Sequence, residues 1–154
     1  MSNNKRGSNY YKSIGDRYQR MLTLSSFPVA VKMLQDARML DDIRDEKGRP
    51  IRRIDHNLAI CQLLGQARYW NVAQAGTSET LSMCVSGGAY MGFWSLPEDY
   101  ADGYVRAYFP TEELARKTVA TCPRFEPGEY AGMIASSLER TPVDPDVVIF
   151  FPNA

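Results

Sequence analysis

The chain has a single histidine, His56, and only three cysteines, Cys61, Cys84 and Cys122, among its 154 residues. One imidazole cannot supply a paired-histidine metal site. It leaves His56 as the sole histidine base for any cysteine nucleophile. Three is an odd number, and none of the cysteines lies in a Cys-x-x-Cys pair. A disulfide framework is therefore not expected; in a reducing compartment these residues read as thiols or metal ligands. Net charge is also lacking, because 18 Lys and Arg balance 18 Asp and Glu. A general nucleic-acid binder needs a basic face to displace counterions from phosphates, so no nucleic-acid partner is expected. Zero net charge limits the solubility of an isolated monomer and favours a homo-oligomer or a partner subunit.

Long apolar runs are missing too. No stretch approaches the roughly 18 residues needed to cross a bilayer. The opening MSNNKRGSNYYKS carries basic residues with no apolar segment behind them, unlike a signal peptide. The expectation is a cytoplasmic protein with no membrane partner. Neither a Gly-x-Gly-x-x-Gly nor a P-loop pattern occurs, and no acid/base pair or nucleophile triad stands out, so catalysis is left open.

What is present suits one globular domain: 44% apolar and 23% charged residues, in a length able to bury a sizeable core. Residues 1–8 are polar and read as a disordered tail, leaving 9–154 as the domain. Helical spacing of Tyr11, Ile14, Tyr18, Met21 and Leu22 predicts a helix over Tyr10–Leu24, closed before Pro28. VAVKML, Val29–Leu34, predicts a strand in which Lys32 faces solvent or a site. The segment 35–55 is densely charged and reads as a solvated surface with a short helix near Asp36–Ile43 and a turn at EKGRP. A helix is expected over Asn57–Trp70, with Leu58, Cys61, Leu64, Gly65 and Arg68 on one face. Asn71–Ser78 reads as loop. PEDYADGY predicts a helical turn ended by Gly103, and alternating VRAYF, Val105–Phe109, a strand. Thr111 is expected to cap a helix to Thr121, with acidic residues in its first turn. Glu129–Leu138 and Val147–Phe151 predict a final, hairpin-like pair of strands. The class implied is α+β, a small and mostly antiparallel sheet with packed helices.

The unusual residues concentrate between Asp55 and Phe93. Here lie His56, Cys61, Cys84, the adjacent Gly87 and Gly88, and Trp70. Thiolates are soft ligands suited to zinc or iron–sulfur clusters, and equally cysteine packs as a small hydrophobe. A helix beginning just after Gly87 would offer free N–H groups to an anion. Lys32 and Arg68 could add positive charge for a carboxylate or phosphate. Tyr90, Phe93, Trp94 and Tyr100 form either core or the wall of a pocket for a planar ligand.

FPVAVKML from Phe27, AICQLLGQAR from Ala59, TSETLSMCVSGGAYMGF from Thr77, PGEYAGMI from Pro127 and the terminal DPDVVIFFPNA together, in this order, resemble the family called domain of unknown function 169, found in archaea and many anaerobic bacteria. The resemblance implies cytosolic proteins, often of anaerobic metabolism, without a defined activity. It implies that Cys61 and Cys84 occupy the family's typical cysteine positions, with Cys122 outside the matching segments. It also implies a chain that usually runs on past Asn153, so that this one is short at its C-terminus relative to the family. Residues and resemblance combine into one expectation: an accessory binding module of anaerobic metabolism. Cys61 and Cys84 would hold an iron–sulfur cluster or zinc, and Gly87, Gly88, Lys32 and Arg68 would line a cofactor. The alternative is a non-catalytic structural subunit of a larger complex with buried thiols.

Overall fold

The computed structural model describes residues 8–151, the side chains of 8, 9 and 104–107 excepted. The expected disordered tail lies outside the described residues, except that Ser8 already belongs to the first helix. The elements are α1 (Ser8–Met21), β1 (Val29–Leu34), a 3-10 turn (Ala37–Asp41), β2 (Arg52–Arg53), α2 (Ile60–Trp70), β3 (Ala73–Thr77), α3 (Val85–Tyr90), α4 (Tyr100–Ala107), α5 (Glu112–Thr121), β4 (Gly132–Ser137), a second 3-10 turn (Leu138–Arg140) and β5 (Val147–Ile149). The α+β class holds. The sheet, in order β2-β3-β4-β1-β5, is mixed: β2 and β3 run parallel, where the sequence led to a mostly antiparallel sheet. Nor do β4 and β5 form a hairpin, because β1 lies between them and pairs with both.

Two cores flank this sheet. Alternation along β1 and β4 sends Val29, Val31, Met133 and Ala135 to one face, where Leu63 and Ala67 of α2, Leu81 and Phe93 complete a buried cluster. Ile134, Leu34 and Ala75 point the other way and meet Leu40 and Ile51 from the charged 35–55 arm. The buried face of α2 is Ile60, Leu63 and Ala67, with Leu64 partly buried beside it. This is the i, i+3, i+4, i+7 pattern counted from Ile60. The expected face is thereby displaced, leaving Cys61 exposed and only open space around Gly65.

The segment expected to be loop contains β3, a central strand. Its sequence, AQAGT, has one β-branched residue, so intrinsic preference does not reveal it. Close approach to its neighbours does: a Cβ at Gly132 of β4 would lie 2.5 Å from Gly76 O, and one at Gly76 would lie 2.6 Å from the buried Leu81 side chain, which follows β3. The alternating VRAYF is helix rather than strand over Val105–Ala107. The turns Tyr100 N–H to Pro97 O (3.1 Å) and Asp102 N–H to Asp99 O (3.0 Å) start α4, and Gly103 lies within the helix instead of ending it. An Asp102–Arg116 ion pair of 2.6 Å then ties α4 to α5. Thr111 caps α5 as expected, its Oγ1 accepting Leu114 N–H at 3.3 Å.

Candidate functional site

The two helix entries that carry Cys61 and Cys84 are joined through the backbone. Leu58 N–H donates to Thr80 O (2.8 Å) and Met83 N–H to Leu58 O (3.2 Å). Immediately beyond these bonds, α2 and α3 begin. Gln62 Oε1 accepts Ala59 N–H at 2.8 Å and fixes the first turn of α2, in which Cys61 is exposed. Cys84 is the N-cap of α3: its Sγ accepts Gly87 N–H at 3.3 Å and lies 3.5 Å from Ser86 Oγ. A Cβ placed on Gly87 would lie 3.0 Å from that sulfur and 3.5 Å from Ile60 Cδ1, so the start of α2 and the Cys84 cap share one wall. Exposed Met83 and Val85 flank Cys84 in sequence.

The helix starts at Val85 and not after Gly87, because the cysteine is its cap. Gly87 and Gly88 therefore lie within it, and the Gly87 N–H is already used by sulfur. Gly88 has a packing reason to be glycine. A Cβ there would lie 2.0 Å from the Trp94 ring, which is pinned by its Nε1–H donating to Val85 O at 2.9 Å.

The expected cations are engaged elsewhere. Lys32 Nζ meets Asp146 Oδ1 at 2.6 Å, while the other oxygen of that carboxylate accepts Met33 N–H at 2.8 Å. Asp146 thus closes the β1 edge where β5 has not yet begun. Arg68 donates from Nε to Ser26 Oγ (2.8 Å) and stacks under Phe151, 4.1 Å from its centroid. His56 pairs with Asp55 (Nδ1 to Oδ1, 2.9 Å), and this hydrogen bond holds the Asp55 carboxyl below the usual range. Cys122, half-buried, ends α5. The structure thus brings the entries bearing Cys61 and Cys84 together with Gly87 and Gly88, whereas Lys32 and Arg68 are each tied into other contacts.

A second polar feature went unread in the sequence. Asp45, Glu46, Arg49, Arg52, Asn71 and Arg140 line a cleft of about 460 Å³. The charge run 41–53 suggested only a solvated surface; the return of Arg140 and Asn71 to it comes from sheet topology, which no local pattern discloses.

Fold and site together define a small α+β domain carrying thiols at two adjoining helix entries. The chain belongs to the family described as uncharacterised ArCR, domain of unknown function 169, whose model matches residues 18–154. No curated protein and no solved structure matches it significantly. No helix among the described residues is long and apolar enough to cross a membrane.

Proposed function

We propose that this chain is an accessory binding module that holds a thiophilic metal, zinc or an iron–sulfur cluster, through Cys61 and Cys84, in anaerobic metabolism. The observation that carries the reading is the joining of the two cysteine-bearing helix entries by the Leu58–Thr80 and Met83–Leu58 hydrogen bonds. Cys61 is exposed and Cys84 is half-buried, which favours ligation from outside over two thiols sealed in a core. Among the described residues, no three His, Cys, Asp or Glu side chains gather into a metal-holding group. One chain therefore brings two sulfurs to a set that zinc or a cluster completes with four. A second copy supplies the other two, and the exposed Met83 and Val85 beside Cys84 give that contact an apolar rim.

The structural-subunit alternative with buried thiols has less support, since in the chain itself Cys61 is exposed and would need a partner to cover it. Native mass spectrometry of protein reconstituted with zinc, or with iron and sulfide, distinguishes the two. The reading expects a metal-dependent dimer that Cys84→Ser leaves monomeric and metal-free. Serine retains a helix cap at this position while removing the soft ligand. A dimer that forms equally without metal in wild type and Cys84→Ser would overturn the bridging role.

A further inference from the structure

The cleft beneath the Asp45–Pro50 turn collects three guanidinium groups, from Arg49, Arg52 and Arg140, against two carboxylates. The carboxylates are not equivalent. Asp45 is fixed from several sides: it pairs with Arg49 at 2.7 Å and accepts backbone N–H groups of Lys47 and Arg49, each at 2.9 Å. Glu46 reaches across the cleft to Arg140 (2.7 Å), a residue 94 positions away, and its carboxylate makes no backbone bond among the described residues. Arg140 has a second anchor, because its Nε donates to Asn71 Oδ1 at 3.1 Å. Asn71 is held in turn in the left-handed region at φ 51°, its Oδ1 also accepting from Ser137 Oγ at 2.5 Å. Loss of the Glu46 contact therefore leaves the Arg140 guanidinium in place. Arg52 makes no ion pair with any carboxylate among the described residues, although its charge is felt by Asp55.

Next to the cleft wall lies an unsatisfied hydroxyl. Ala73, a wall residue, stands opposite Ser136 in the β3–β4 register, and the Ser136 Oγ is fully buried with no hydrogen-bond partner among the described residues. The two side chains project from the same face of the sheet.

We infer that this cleft is a binding site for a small oxyanion, the carboxylate or phosphate group of a metabolite, with Glu46 occupying its place on Arg140 until the ligand arrives. Arg140 and Arg52 are the recognition residues, since a guanidinium presents a planar fork that matches either oxyanion. The volume suits a small molecule rather than a peptide segment. The inference is independent of the cysteine site.

The test is calorimetric titration of the full chain with inorganic phosphate in one arm and succinate in the other. Saturable binding is expected in at least one arm, and the arm that responds identifies the group. Arg140→Gln and Arg52→Gln should each weaken it about tenfold or more, the loss of one charge-assisted contact. Glu46→Gln should strengthen it, because the internal competitor is gone. Arg38→Gln, on an arginine paired with Asp36 away from the cleft, should leave it unchanged. Absence of binding in both arms, equal binding by all variants, or weaker binding by Glu46→Gln would overturn the inference. Circular dichroism of each variant separates lost binding from lost fold.

Discussion

The segment from Cys84 to Trp94, which holds the short helix α3, and the arm from Asp41 to Arg53 are held by opposite forces. The first is set by apolar contact: Gly88 sits against the Trp94 ring, Phe93 is buried, and the one sulfur cap is short-range. The second is set largely by surface charges, Asp45 with Arg49, Arg53 with Asp41 and Glu46 with Arg140, and anchored by buried Ile51 and half-buried Ile43 beside Leu40. Close packing penalises any change in volume. Exposed ion pairs contribute little each and exchange readily with other partners. The first region therefore fixes geometry around a sulfur, and the second is free to trade one carboxylate for another.

That contrast is sharpest at Gly88. Gly88→Val should cost about 3 kcal/mol, the upper range for forced overpacking, read from denaturant unfolding. Much of that loss should return in Gly88→Val/Trp94→Leu, where the ring that the new side chain strikes is gone. An unaltered midpoint for the single variant would mean that Trp94 moves freely and that the turn is not packed as described.

A smaller effect is expected at Asn71, which ends α2 and joins it to the cleft. Asn71→Ala loses the contacts to Ser137, Arg140 and Glu139 and places alanine at positive φ. A cost of about 1–3 kcal/mol is expected from unpaired buried groups and backbone strain. Asn71→Gly, which relieves only the strain, should recover part of it; identical losses in the two would assign the whole effect to side-chain contacts.

In the arm, Arg49→Gln should change stability by less than about 1 kcal/mol. A loss as large as that of Gly88→Val would erase the distinction between the regions. The pH response is smaller still and has a definite sign. The Arg49 side-chain hydrogen bond, followed by backbone hydrogen bonding, holds the Asp45 carboxyl below its ordinary value. Its contribution is present above about pH 4, the range of a free aspartate, and is lost as pH falls through the lowered native value. A carboxyl-carbon NMR titration should place the Asp45 midpoint below that of a free aspartate and return it towards that value in Arg49→Gln. A midpoint at or above the free value in wild type would contradict the pairing.

Local chemistry was legible wherever local chemistry decides structure. The apolar spacing of α1, the β-branched VAVKML and the Thr111 cap all read directly. Positions decided by distant partners did not. β3 packs as a strand where Gly132 lets β4 approach it and Gly76 makes room for Leu81, and β2 is only two arginines long. Cys84 was recognised as chemically unusual, but its place as a cap depends on where α3 starts, and the adjacent glycines pointed to a later start. Lys32 and Arg68 looked available because Asp146 and Phe151, their partners, lie far along the chain. Arg49 and Arg52 read as solvated because Asn71 and Arg140, which line the same cleft, lie far along the chain.

The central claim rests on the two thiols, and metal with acid-labile sulfide analysis of protein purified without oxygen tests it most directly. The account predicts stoichiometric zinc, or iron with sulfide, at one site for each pair of chains, lost in both Cys61→Ala and Cys84→Ser while their folds persist. Metal-free wild-type protein, or metal retained in both variants, would contradict it.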